Sequence, residues 1–161
     1  MKKKINLKVI LVGDQAYAKL KMGRVGKTSL LRRFVQNKFV PGYKATIGAD
    51  FMTKEIILND QVVTLQCWDT AGQEQYHALS AAFYKGSNCC VLVYDITDQQ
   101  SFNHLGSWRD KFLANVAPKS AEGAAFVVLG NKVDDEKKRK VHPQIMSTGL
   151  EGEGNQMVPG A

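Results

Sequence analysis

The chain has 161 residues, of which 44% are hydrophobic and 23% charged, a balance typical of one globular domain. Its formal net charge is +7, but the basic residues are scattered apart from residues 1–4 and 137–140. This scatter favours solvated basic segments over a nucleic-acid or other polyanion site. No apolar run approaches the roughly 18 residues of a transmembrane helix. The 3 cysteines do not suggest a disulfide framework and fit a reducing, cytoplasmic setting.

Short apolar runs alternate with longer helical patterns, which predicts an α/β fold with a mostly parallel sheet and helices on both faces. Strands are predicted at residues 7–12, 50–58, 62–68, 89–94 and 125–130. The second and third strands are joined by a short polar turn, so they should form an antiparallel hairpin. Helices are predicted at 27–37 and 100–116, where apolar residues recur at three-to-four spacing, and a short helix at 78–84.

The character of the sequence changes after residue 134. Residues 135–140 are all charged, and residues 141–161 contain four glycines and two prolines without a periodic apolar face. This composition is typical of a disordered segment. The sequence therefore predicts a folded domain over residues 1–134 and a divergent, disordered tail over residues 135–161.

A phosphate-binding motif follows the first predicted strand. Gly26, Lys27 and Thr28 match the end of the G-x-x-x-x-G-K-[ST] pattern, in which the lysine approaches the β- and γ-phosphates and the hydroxyl binds Mg²⁺. The glycine that opens the loop, Gly13, lies farther upstream than the pattern requires, so the loop has about eight extra residues. Because short matches arise by chance, this motif alone is weak evidence.

Asp69 ends another predicted strand, at the position where a carboxylate facing Mg²⁺ is needed. Gly72 would let a backbone N–H approach the γ-phosphate, and Gln73 would orient a water molecule for in-line attack. Taken alone, the same residues read as a turn after a strand. Thr46, in a predicted loop before the second strand, can complete the Mg²⁺ shell while a γ-phosphate is present.

Asn131, Lys132 and Asp134 follow the last predicted strand. The Asp134 carboxylate can accept hydrogen bonds from the N1–H and the exocyclic amine of guanine, a pair of donors that adenine lacks. The Lys132 stem can lie along the base, and Asn131 can tie this loop to the phosphate loop. The alternative is a strand-to-loop cap. The four elements nevertheless occur in the right order, which makes coincidence a poor explanation.

These motifs and the segments around them resemble the Rab family of Ras-superfamily small GTPases, near its late-endosomal Rab-seven type. The resemblance covers about residues 7–134 and is carried by residues 43–51, 54–58, 68–74, 82–86, 94–97, 107–110 and 130–134. It implies a P-loop NTPase G domain that binds GDP or GTP with Mg²⁺, slowly hydrolyses GTP and regulates vesicle and endosomal traffic. It also implies a monomer that binds exchange factors, GTPase-activating proteins and effectors, does not bind nucleic acid, and associates with endosomal membranes.

The resemblance assigns roles to single residues. Phe39 would pack against guanine, and Tyr43 would close over the phosphates. The predicted catalytic residues are Gln73 and Lys27. The predicted nucleotide-binding residues are Gly13, Gly23, Val25, Gly26, Lys27, Thr28, Ser29, Phe39, Tyr43, Thr46, Gly72, Asn131, Lys132 and Asp134. The predicted Mg²⁺ ligands are Thr28, Thr46 and, through water, Asp69. The predicted effector surface is Ile47, Phe51, Trp68 and Phe83, with core packing as the alternative for its aromatic residues.

Three features depart from the family pattern. Residues 15–22 are extra, and Arg24 stands where Rab proteins usually carry a glycine beside the γ-phosphate. The family's last strand and closing helix are not recognisable after residue 134. No C-terminal cysteine is available as a prenyl anchor. The alternative to an active switch is therefore a truncated, non-catalytic Rab-like isoform that keeps the partner surface but binds nucleotide poorly.

Overall fold

The computed structural model describes residues 4–15, 24–41, 49–70, 82–116 and 123–143. Within them, the strands are β1 (Ile5–Val12), β2 (Ala49–Leu58), β3 (Gln61–Thr70), β4 (Cys89–Asp95) and β5 (Ala125–Asn131). The helices are α1 (Lys27–Gln36), α2 (Gln99–Asn103), α3 (Leu105–Asn115) and a 3₁₀ helix (Val133–Lys138). Residues 82–84 are also helical, and the rest of the helix predicted at 78–84 lies outside the described residues.

All five predicted strands are present, but the predicted helix over 100–116 is divided at His104. That residue has φ −80° and ψ −9°, and this ψ is closer to zero than the value of about −42° in a regular α-helix. α2 ends and α3 begins at this residue, although the backbone N–H of His104 still donates to the Gln100 carbonyl and that of Trp108 to the His104 carbonyl. Periodicity alone could not reveal this break because the apolar spacing continues across it.

The five strands form one sheet in the order β2-β3-β1-β4-β5. β1 is parallel to both β3 and β4, β4 is parallel to β5, and β2 pairs with β3 as an antiparallel hairpin. The sheet is therefore mostly parallel, as predicted. Because β1, β3, β4 and β5 run in the same direction, the residues that follow them meet at one edge, where α/β proteins bind ligands.

Helices cover both faces of this sheet. Successive residues of a strand point to opposite sides, so the strands contribute apolar side chains to a separate core on each face. One core contains Ile10, Val12 and other strand residues together with Trp108 and Phe112 of α3. The second core packs Leu11 and neighbouring strand residues against Leu31 of α1. The three cysteines are free thiols on β3 and β4. No helix among the described residues is long and apolar enough to cross a membrane.

The packed structure continues past residue 134. After the 3₁₀ helix, the backbone N–H groups of Lys140 and Val141 donate to the Ile96 carbonyl at 2.8 and 3.0 Å. The Val141 side chain is fully buried in the same core as Phe112. Ordered contacts thus reach Val141, whereas the division of the chain after residue 134 stays a prediction. One buried valine after a charged run leaves no periodic signal in the sequence. Residues 144–161, the rest of the predicted tail, lie outside the described residues.

Replacing Val141 by alanine tests this packing. Removing two buried methyl groups should lower the free energy of unfolding by about 2 kcal/mol, since apolar transfer and the residual cavity both act against the fold. Urea denaturation of the full chain measures the change. Lys140→Ala, at an exposed neighbouring position, should shift the midpoint little. Equal effects of the two substitutions would show that Val141 is not part of the core.

Candidate functional site

The two ends of the phosphate loop are held against neighbouring strands. Gly13 follows β1 with φ 148°, and a Cβ there would lie 2.2 Å from the Val93 carbonyl oxygen, so this position requires glycine. Val25, where the loop returns, is fully buried, and its carbonyl accepts a 2.8 Å hydrogen bond from Asn131 Nδ2. This contact is the predicted tie between the Asn131 loop and the phosphate loop. Residues 16–23, between these ends, lie outside the described residues.

Lys27 is the first residue of α1, directly after the phosphate loop. Gly26 before it has φ 84°, a left-handed conformation that favours glycine, and a Cβ there would meet Asn131 Nδ2 at 2.6 Å. Lys27 itself is only 4% exposed, and its ammonium donates to the Gly13 carbonyl at 2.6 Å. A buried cation at a helix N-terminus creates a strong local preference for an anion. The side chain of Ser29, two residues further along α1, is exposed.

Thr28 and Asp69 contact each other directly at the carboxyl edge of the sheet. The Thr28 hydroxyl donates to Asp69 Oδ2, whereas Asp69 Oδ1 is buried and has no hydrogen-bond partner among the described residues. Burial raises the pKa of Asp69, and the Thr28 hydrogen bond and the Lys27 ammonium act in the opposite direction. A hydroxyl beside a carboxylate with an unused oxygen is a donor set that suits Mg²⁺. These two residues therefore fit the predicted metal site.

The segment after β5 holds Lys132 in a defined position. Lys132 has φ 67°, and its ammonium lies 2.5 Å from Asp95 Oδ2 at the end of β4. Asp95 is 2% exposed. Burial acts to raise its pKa, but the hydrogen bonds from Lys132 and Thr97 outweigh this and the pKa of Asp95 is lowered. Asp134 is exposed in the 3₁₀ helix, where a ligand can reach it.

Sequence reasoning missed Asp95. Its only signal was its place at the carboxyl end of a buried strand, in register with Asn131 on β5. That register joins the ends of β4 and β5, so that the Asp95 carboxylate faces the lysine one residue beyond Asn131. The contact partner is 37 residues away in the sequence, which local patterns do not report.

The predicted aromatic surface is a contiguous row. The ring centroids of Phe51 and Trp68 are 4.9 Å apart, and those of Trp68 and Phe83 are 5.8 Å apart. Phe51 is 46% exposed, whereas Trp68 is partly buried and also packs against the core that contains Phe112. The Trp68 indole therefore packs against the core and also belongs to the predicted surface, since it contacts the exposed Phe51 ring. Phe39, predicted to face guanine, is 65% exposed.

Several predicted site residues lie outside the described residues: Gly23, Tyr43, Thr46, Ile47, Gly72 and Gln73. The roles of Gln73 in catalysis and of Thr46 as a metal ligand thus remain predictions. The described residues bring together Gly13, Val25, Lys27, Thr28, Asp69, Asn131 and Lys132 at one edge of the sheet.

This arrangement of loop, strand-end carboxylate and Asn-Lys-x-Asp segment agrees with the family comparison. Residues 8–151 match the model of the Ras family. The chain belongs to the Ras family. It is a small GTPase, and small GTPases are GTP hydrolases, which confirms the predicted family and enzyme class. The match also continues past residue 134, as does the packed structure.

Curated relatives of this Ras-family chain include several Rab proteins. The Ypt/Rab-type GTPase avaA of Emericella nidulans is 49% identical over 155 residues, which cover 96% of this chain and 72% of that protein. The Ras-related protein Rab-7a of Dictyostelium discoideum is 49% identical over 154 residues, with the same coverage of 96% and 72%. The Ras-related protein Rab7 of Drosophila melanogaster is 55% identical over 133 residues, which cover 83% of this chain and 60% of that protein.

The lowered pKa of Asp95 makes a prediction about stability. A carboxylate whose pKa is lowered by folding stabilises the fold above its ordinary pKa of 3.8, and this contribution is lost as the pH falls through the lower folded value. Asp95→Asn should reduce the free energy of unfolding at pH 7 by about 1–3 kcal/mol, because the Lys132 ammonium loses its charged partner.

Urea denaturation at pH 7 and at several acidic values measures both effects. The decline of stability at acidic pH should be shallower in Asp95→Asn than in the unmodified chain. Asp110→Asn, at an exposed position of α3, serves as the matched control and should leave that decline unchanged. An unchanged acid slope in Asp95→Asn would contradict the assigned ion pair.

Proposed function

We propose that this chain is a Rab-type guanine-nucleotide switch that binds GDP or GTP with Mg²⁺, slowly hydrolyses the γ-phosphate and acts in endosomal traffic. The observation that carries the proposal is the convergence of three groups at one edge of the sheet. These groups are the Lys27 ammonium, the Thr28–Asp69 pair and the Lys132 segment after β5. The phosphates would contact Lys27, the metal would contact the Thr28–Asp69 pair, and the guanine base would contact the Lys132 segment.

The phosphates would bind at the N-terminus of α1. The N-terminus of a helix presents backbone N–H groups to phosphate oxygens, and the helix dipole favours negative charge there. The Lys27 ammonium already donates to the Gly13 carbonyl at the start of the loop. A small movement of its flexible stem would carry it to the β- and γ-phosphates, where it would neutralise charge that develops on the transferred group.

The metal would be held by the Thr28 hydroxyl and, through water, by Asp69, with Thr46 as a proposed third group. When bound, Mg²⁺ neutralises charge on the phosphate oxygens. Asp69 Oδ1, which has no hydrogen-bond partner among the described residues, supports this role. A buried oxygen without a partner costs free energy unless a ligand satisfies it. Gln73 is proposed to orient the attacking water.

Guanine would be read by the segment after β5. The Asp134 carboxylate would accept from the N1–H and the exocyclic amine, and the Lys132 stem would lie along the base while its ammonium stays on Asp95. The exposed Phe39 ring would cover the opposite side of the base. The Asn131 bond to Val25 would keep the base site and the phosphate loop at a fixed separation.

The proposed partners are exchange factors, GTPase-activating proteins and effectors. The exposed Phe51 ring, backed by Trp68 and Phe83, is a surface that suits an apolar effector side chain. Association with endosomal membranes is proposed from the similarity to Rab7 proteins.

Nucleotide titration with base discrimination tests the proposal. GDP should bind at least about 100-fold more tightly than ADP, because adenine cannot supply the two hydrogen bonds to Asp134. Asp134→Asn should lose most of this preference, while Asp135→Asn, at the next position, should keep it. Fluorescence titration with labelled GDP and ADP in Mg²⁺ buffer measures the ratio. Equal affinity for both nucleotides in the unmodified chain would contradict the guanine assignment.

The metal role of Thr28 can be separated from general effects on α1. Thr28→Ala should weaken Mg²⁺-dependent GDP binding by about tenfold or more, because a ligand hydroxyl is lost. Gln36→Ala is the matched control, since it is exposed on the same helix and lies outside the predicted nucleotide site. GDP affinity is measured with Mg²⁺ and with excess chelator. The difference between Thr28→Ala and the unmodified chain should vanish in chelator, and a difference that persists would exclude a metal role.

The extra loop residues are proposed to weaken phosphate binding without abolishing the fold. Deleting residues 15–22 together with Arg24→Gly should tighten GDP binding by about tenfold, because it restores backbone N–H groups around the phosphates. The same labelled-GDP titration measures the gain. Binding no tighter than in the unmodified chain would mean that the extra residues are accommodated away from the phosphates.

A further inference from the structure

Asp14, directly after Gly13, is a buried carboxylate that the proposed nucleotide chemistry does not use. It is 7% exposed, and each of its two oxygens has a partner on the helical segment across the sheet edge. Trp108 Nε1 donates to Oδ1 at 2.7 Å, and His104 Nδ1 lies 2.6 Å from Oδ2. A carboxylate satisfied on both oxygens is held in one orientation.

The two partners belong to the start of α3. His104 is the residue at the break between α2 and α3, and Trp108 lies one turn later, buried in the core with Phe112. The backbone N–H of Trp108 donates to the His104 carbonyl at 3.0 Å, so both side chains project from the same first turn of the helix. The contact therefore fastens the beginning of the phosphate loop to a helix that is itself anchored in the core.

Asp14 also bears on the residues that would face phosphate. Its carbonyl accepts from the Val25 N–H at 3.4 Å, which joins the outgoing and returning ends of the loop. The preceding carbonyl, that of Gly13, receives the Lys27 ammonium. Movement of Asp14 would thus displace both the backbone that closes the loop and the acceptor that positions Lys27.

We infer that Asp14 is a positioning residue: by bonding to Trp108 and His104 it fixes the start of the phosphate loop and thereby the site of the Lys27 ammonium. This inference rests on the proposed nucleotide binding for its functional consequence, but the tether itself is a property of the chain alone. The tether matters more here because the loop is long, and a long loop constrains its own ends less than a short one.

Graded variants at the three residues test the tether. Asp14→Ala removes both contacts, Trp108→Phe removes one donor and keeps a ring, and His104→Asn keeps an N–H close to the position of Nδ1. Release of labelled GDP from the Mg²⁺-loaded full chain should accelerate about tenfold or more in Asp14→Ala and less in Trp108→Phe. His104→Asn should stay within about twofold of the unmodified chain, as the conservative replacement.

Amide hydrogen exchange in nucleotide-free protein provides a readout that does not need a ligand. Exchange at Val25 should accelerate in Asp14→Ala and Trp108→Phe and remain unchanged in His104→Asn. Phe112→Leu is the matched control, because Phe112 is buried in the same helix one turn beyond Trp108. The substitution should destabilise the core without removing a contact of Asp14. It should lower stability in urea while leaving GDP release and Val25 exchange near those of the unmodified chain.

The outcomes separate the tether from the proposed function. If the unmodified chain binds no GDP, the proposed function fails, and Val25 exchange alone decides the tether. If Asp14→Ala leaves Val25 exchange within about twofold of the unmodified chain, the inference is overturned. Equal acceleration by Phe112→Leu and Asp14→Ala would also overturn it, because general loosening of α3 would then explain the effect.

Discussion

The parallel register of β1, β3, β4 and β5 is the constraint on which the rest of the structure depends. Leu11 lies opposite both Asp69 and Val91, and Asp95 lies opposite Asn131, so four strands reach the same edge. β4 extends three residues past Leu92, the partner of the last β1 residue, Val12. Each strand then delivers a polar side chain or a loop there. The antiparallel β2–β3 hairpin cannot contribute in this way through β2, whose carboxyl end lies at the opposite edge.

Burial of charge is the second common feature of this edge. Lys27, Asp69 and Asp95 are each less than 5% exposed. Desolvating an ion costs several kcal/mol unless partners replace the lost water. Asp95 has Lys132 and Thr97 as such partners, and its pKa is lowered accordingly. Asp69 has only partial compensation, its pKa is raised, and one of its oxygens has no partner among the described residues. The buried charge of Asp95 is therefore compensated by its partners, whereas that of Asp69, at the proposed metal site, is compensated only in part.

Much of the fold could be predicted from the sequence because strands and motifs are local patterns. The five strands, the hairpin and the start of α1 follow from apolar spacing and from the Gly26-Lys27-Thr28 motif. The contacts of Asp95, Asp14 and Val141 could not be predicted in this way. Each joins residues that are distant in sequence, and each depends on strand register or on how α3 and the 3₁₀ helix pack. The site was thus visible as motifs, while the residues that hold the motifs in place were not.

The length of the phosphate loop matters less than the geometry of its ends. Extending a flexible loop about threefold costs only about 1 kcal/mol in closure entropy, so the extra residues need not prevent the ends from meeting. A lost hydrogen bond to a buried charge costs about 1.5–3 kcal/mol, which is more than the insertion itself. Gly13 against β4, Val25 bonded by Asn131 and Asp14 bonded by Trp108 fix both ends independently of the residues between them. The contacts that flank the loop, rather than its length, therefore set the position of Lys27.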